Sequence, residues 1–97
     1  MTKFALYVPL MAKPGKEAEV EAFLEQGARM AQDESGTVTW YGLKEGDGFY
    51  SVFDTFDDEA GRDAHLNGPI AQALMAKAGE LLAEPPKINK ITLIAKK

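Results

Sequence analysis

The chain has no cysteine and a single histidine, His65, among its 97 residues. Lack of cysteine removes disulfides, thiolate metal sites and cysteine nucleophiles together, and agrees with a reducing compartment. One histidine without cysteine leaves too few ligands for a structural zinc site, so no metal is expected. Positive charge is also scarce: 11 Lys and Arg stand against 15 Asp and Glu, a formal net charge of −4. Nucleic-acid affinity comes largely from clustered cations that neutralise phosphates, and the densest run here is the acidic Asp57-Asp58-Glu59. No apolar run approaches the ~18 residues needed to span a bilayer. Lys3 followed by the apolar run 4–12 has the outline of a secretory signal, but Leu10 stands where a small residue is needed before cleavage. The expectation is a cytoplasmic protein with neither nucleic-acid nor membrane partners.

What is present is enough apolar sequence for one domain, residues 1–97, that buries about two-thirds of its extended-chain surface without metals or disulfides. Residues 3–12 read as a strand with Phe4, Leu6, Val8 and Leu10 on one face and Ala5, Tyr7, Pro9 and Met11 on the other. Both faces are apolar, which predicts cover on both sides. Pro9 has no N–H for a ladder and predicts a bulge or one-sided pairing. Lys13-Pro14-Gly15-Lys16 turns into a helix whose Val20, Phe23, Leu24, Gly27 and Ala31 share a face. Gly27, costly within a helix, predicts a close approach to the sheet or space left there. Gly36 reads as the cap that ends this helix.

Residues 37–43 and 49–56 read as strands joined by a five-residue connection, 44–48. The aromatic stretch DGFYSVFDTF departs from an RNA-reading strand where it counts: Asp47 replaces the basic residue, and Ser51 and Asp54 stand where rings belong. A pocket-wall role is the better reading. A short helix over 59–66 stops at Asn67-Gly68, and Pro69 starts another that carries Ile70, Leu74, Ala78 and Leu81 beside Ala71, Met75 and Leu82. Met75 reads as core. Residues 87–95 read as the last strand. The order is βαββαβ with a broken second helical segment, an α+β, ferredoxin-like arrangement with an antiparallel sheet. Tyr7, Met11, Tyr41, Phe49, Phe53, Ile91 and Leu93 crowd the face that the helices leave open, which predicts a homodimer joined sheet to sheet.

Several segments then carry a resemblance. Lys13-Pro14-Gly15-Lys16-Glu17 precedes an amphipathic helix, and Gly36 precedes strand two. Asp54-Thr55-Phe56-Asp57-Asp58 closes strand three, Asp63-Ala64-His65-Leu66 leads to Pro69, and Ala83-Glu84-Pro85-Pro86 precedes the last strand. In this order they resemble the antibiotic biosynthesis monooxygenase domain over nearly the whole chain. The resemblance implies a dimeric α+β barrel with a cavity between helices and sheet. It further implies, in quinol-monooxygenase-like members, oxidation of a small quinol or phenol by O2 with no cofactor. Members that oxidise polyketide phenols use Asn and Trp on strand three and Tyr on the next helix, where this chain has Val52, Phe56 and Arg62. The haem-degrading branch uses Asn, Trp and His, where this chain has Val8, His65 and Met75. Neither chemistry is expected. The Trp common at the end of strand three is Phe56, and the second His often found after Pro69 is Ile70.

Pairing 43 with 49 sets 40 opposite 52 and 38 opposite 54, which puts Trp40, Tyr50, Val52, Asp54 and Phe56 on the helix side. His65 is the catalytic candidate, because imidazole accepts and returns protons near neutral pH, and Asp54 is placed to orient it. The alternative for His65 is an ordinary helix-surface or capping histidine. Trp40, Tyr50, Val52, Phe56 and Arg62 form the candidate substrate-binding set, although Trp40 and Tyr50 would look the same as core fillers. Arg62 could reach an anionic substrate or pair with Asp58 on its helix. The competing functional expectation is a non-catalytic dimeric domain that binds a small hydrophobic molecule.

Overall fold

Period-two alternation builds a four-stranded antiparallel sheet in the order β2-β3-β1-β4, with helices against one face, in a computed structural model that describes residues 2–97. The elements are β1 (Phe4–Met11), α1 (Glu17–Ala31), β2 (Thr37–Gly46), β3 (Phe49–Phe56), α2 (Glu59–Leu66), α3 (Pro69–Leu81) and β4 (Asn89–Thr92). This is the α+β ferredoxin-like βαββαβ order, its second helix broken at Asn67-Gly68. Val8, Leu10, Tyr50 and Val52 on the sheet meet Val20, Leu24 and Leu81 on the helices to form the core. No helix among the described residues is long and apolar enough to cross a membrane.

Pro9 explains why β4 is shorter than residues 87–95. β4 pairs with β1 only from Phe4 to Tyr7, so Lys87 would fall opposite Pro9, which has no N–H to offer. Past Thr92, Leu93 donates to the Lys3 carbonyl at 2.7 Å and then runs beyond the end of β1. Pro9 is therefore paired on one side only, with β3 through Ser51.

The β2–β3 connection is tighter than expected. β2 continues to Gly46, and Asp47 and Gly48 alone make the turn, with Gly48 at φ +78°, where glycine is favoured. The register consequently places Leu43 opposite Ser51 and Trp40 opposite Asp54, two residues from the expected pairing. A shift of two keeps every side chain on its face, so the helix-side assignment survives.

Gly36 does not cap α1. The helix ends at Ala31 with Gln32 still in the right-handed region, and a turn through residues 32–36 follows. The function of Gly36 is proximity: a Cβ there would stand 3.0 Å from the Gly61 Cα, and one on Gly61 would stand 2.8 Å from the Gly36 carbonyl oxygen. Met75 is not core either. The buried stripe of α3 runs through Ile70 and Leu81, and Met75 is rotated outward, 58% exposed. On the sheet's other face Tyr41 and Phe49 are each about half exposed, and Leu43 is exposed beside them.

Candidate active site

Alternation along β3 sends Tyr50, Val52, Asp54 and Phe56 beneath the helices, and all four are buried. Trp40, on the neighbouring strand, sits opposite Asp54. Gly27 leaves room for its indole, since a Cβ at 27 would overlap the ring at 2.8 Å. The Asp58 carboxylate starts α2 by accepting the Gly61 N–H at 2.7 Å, as N-cap side chains do. Arg62 and His65, three residues apart and so on one helical face, then both turn inward.

His65 arrives between two carboxylates. Its Nε2 lies 3.0 Å from Asp54 Oδ2, and its Nδ1 lies 2.7 Å from Glu34 Oε1. Asp54 Oδ2 lies at ion-pair distance from the ring but out of line for a directed hydrogen bond, and Oδ1 has no partner among the described residues. Glu34 Oε1 also accepts the Thr37 hydroxyl at 2.8 Å. The Phe56 ring packs on the imidazole with centroids 5.5 Å apart. Glu34 was invisible to sequence reasoning, being 31 residues from His65 in an irregular turn. The Gly36–Gly61 approach is what brings that turn against α2. The carboxylates approach opposite sides of the ring, so the three groups do not converge on one point, and no metal-binding cluster occurs among the described residues.

Burial works to lower the pKa of His65, but Asp54 and Glu34 outweigh it and hold the imidazole above its ordinary 6.5. Burial raises Asp54 above 3.8, and His65 only partly opposes this. For both groups the folded chain grips the proton more tightly than the unfolded chain. The stability His65 adds is therefore complete below pH 6.5 and lost as pH rises through its folded value, and Asp54 acts with the same sign from 3.8 upward. We expect the melting temperature, followed by circular dichroism, to decline from pH 6.5 upward, and His65→Gln to flatten that slope.

Among the described residues, Asp54 and His65 are the only ionisable side chains on a cavity of about 40 Å³ between the sheet and α3. Its floor is Leu6, Val8 and Val52, its roof is Ile70 and Leu74, and Trp40 forms one wall. The backbone of α3 approaches α1 and α2 more closely than the strands, which leaves this space. The volume suits a water molecule and is far below the ~300–1,000 Å³ of ordinary ligand pockets. Trp40 Nε1, like Asp54 Oδ1, is buried without a hydrogen-bond partner among the described residues. A donor and an acceptor thus stand unpaired on one cross-strand pair.

Of the candidate residues, Trp40, Val52, Asp54 and His65 come together on this cavity, and Tyr50, Phe56 and Arg62 lie outside its lining. The Tyr50 ring packs in the main core and its hydroxyl donates to Glu21 at 2.5 Å. That bond, with burial adding to it, pushes the phenol up to about 12. Arg62 points at the strands instead, with Nη1 3.4 Å from the Ala5 carbonyl oxygen and Nη2 3.7 Å from Glu59, not Asp58. Its guanidinium sits 5.1 Å above the Phe4 ring.

No family model and no curated protein sequence matches the chain. Among solved structures, NE2512 of Nitrosomonas europaea, described as a protein of unknown function, is 56% identical. The match covers 100% of this chain and 94% of that one, with a TM-score of 0.96. A protein of Caulobacter crescentus, provisionally named an antibiotic biosynthesis monooxygenase, is 22% identical over 97% of this chain and 92% of its own, with a TM-score of 0.79. A second Nitrosomonas europaea protein with the same provisional name is 14% identical over 95% and 90%, with a TM-score of 0.83.

Proposed function

We propose that this chain, which belongs to the same family as NE2512 of Nitrosomonas europaea and has the antibiotic biosynthesis monooxygenase fold, oxidises a small quinol-like or phenolic compound with O2 and needs no cofactor. One observation carries the reading: a buried Asp54–His65 pair whose unpaired Oδ1 belongs to a side chain on an apolar cavity, opposite the unpaired N–H of Trp40. A phenolic hydroxyl has the chemistry both lack, a proton to donate to Asp54 and a lone pair for Trp40, and its ring suits the apolar lining of Val8, Val52 and Leu74. Entry requires α3, the roof, to move outward, because the present volume holds no aromatic ring.

Asp54 takes and holds the phenolic proton, and His65, 3.0 Å away, tunes its basicity. The phenolate gives one electron to O2, and the phenoxyl radical and superoxide join through a new C–O bond at a ring carbon bearing hydrogen. The stored proton returns to the peroxide. Loss of the ring hydrogen as a proton, with cleavage of the O–O bond, then releases one water and leaves a quinone. One oxygen atom of O2 ends in the quinone and the other in the water.

The test is oxygen uptake by metal-free protein across a panel of quinols and phenols. Uptake above background that His65→Ala abolishes supports the reading, and no uptake from any compound ends it. Trp40 is the chain's one tryptophan and lines the cavity, so quenching of its fluorescence without oxygen uptake would favour a binding domain. The proposed setting is the cytoplasm, in keeping with a chain without cysteine.

The proposal includes a homodimer through the open sheet face, where Tyr41, Leu43 and Phe49 are exposed together. Sedimentation at micromolar concentration is expected to give the mass of two chains, and Phe49→Glu that of one. Wild-type protein sedimenting as one chain would remove the dimer.

A further inference from the structure

The line of three side chains has two ends, and they face different surroundings. Asp54 ends it at the apolar cavity of about 40 Å³. Glu34 borders an outer groove of about 300 Å³ formed by the end of α1 and the start of β2, with Gln32, Thr37 and Thr39 beside it. Between them the imidazole holds one carboxylate at each nitrogen, at 3.0 and 2.7 Å.

The surroundings of the ring leave few alternatives. Arg62, one turn earlier on α2, is turned toward the carbonyls of Ala5 and Ile91 and toward Glu59. Phe56 of β3 packs on the ring and titrates nothing. Asp54 from β3 and Glu34 from the α1–β2 turn are the charged partners it has, and His65 itself is only 7% exposed. Glu34 is held in place by the Thr37 hydroxyl on Oε1, and its Oε2 is buried without a partner among the described residues.

We propose that Glu34 is a positioning residue of this site, which at 2.7 Å from Nδ1 holds the imidazole with Nε2 against Asp54. Its charge sets the pH range over which the site works. The substrate rests on the oxygenase reading, but the link between Glu34 and His65 is measurable without turnover.

Because the chain has one histidine, the imidazole signals in its NMR spectrum belong to His65 alone. Glu34→Gln keeps size and removes charge, and is expected to make His65 titrate at lower pH than in wild type. Glu34→Asp should restore part of the difference, and it carries the comparison if the amide variant does not fold. In the active protein Glu34→Gln is expected to lower kcat about tenfold or more. The acid limb of the rate profile, where His65 loses its proton, should move to lower pH with the titration. An unchanged His65 titration in folded Glu34→Gln overturns this role whether or not any phenol is oxidised. A moved titration with an unmoved rate profile also overturns it, leaving Glu34 a structural partner. A moved titration in a protein that oxidises nothing supports the coupling and sinks the oxygenase reading instead.

Discussion

Asp54→Asn is expected to lower kcat for a phenolic substrate by about 10²–10⁴-fold, the usual worth of a positioned proton acceptor. The amide oxygen still receives a hydrogen bond from the substrate at the position of Oδ1, but it takes no proton from it. KM should consequently change little while kcat collapses. His65 should titrate lower as well, because Asp54 at 3.0 Å from Nε2 is a main support of its charged form against burial. The Asn amide can donate to the neutral ring at Nε2, with Nδ1–H directed to Glu34, so a folded variant with a neutral imidazole is expected. Oxygen-electrode kinetics and an NMR titration of His65 check the two effects on one preparation. Wild-type kcat in this variant would remove Asp54 from the chemistry and with it the observation on which the proposed function stands.

The reason Asp54 was legible in the sequence, and Glu34 was not, is physical. Asp54 lies on a strand, where period two settles the face even when the register is wrong by two residues. The error came from the turn: Gly48 at positive φ closes the hairpin with Asp47 alone, so β2 extends to Gly46. Parity fixes the face and leaves the neighbour open. Tyr50 shares a face with Asp54, yet four residues along the strand it lies with Val20 and Leu24 of α1 rather than at the cavity under α3. Arg62 has the same character: helical spacing puts it inward with His65, but only the packed structure turns its guanidinium to β1 and β4. Glu34 occupies an irregular turn whose position depends on the Gly36–Gly61 backbone approach, a long-range contact without any periodicity. The cavity's size was equally hidden, because an apolar stripe such as Ile70 and Leu74 lines a void or fills a core with the same residues.

Phe56→Ala is the substitution from which we expect the greatest loss of stability. The ring is 0% exposed, at the end of β3 where the strand pairs with both Phe4 of β1 and Thr37 of β2. Truncating a wholly buried Phe costs about 3–5 kcal/mol, the transfer energy of the ring plus the cavity it leaves. In a domain of this size that lowers the melting temperature by roughly 15–30 °C, a large share of the ~5–15 kcal/mol that holds such a fold. Urea unfolding followed by circular dichroism measures it. Phe56→Leu, which keeps most of the volume, should cost about 1 kcal/mol. It also separates two roles for the position. Phe56 lies outside the cavity lining and against the imidazole, so Phe56→Leu should leave KM unchanged and show any loss of kcat together with an altered His65 titration. A raised KM with the His65 titration unaltered would instead mean that the ring contacts the substrate once α3 has moved.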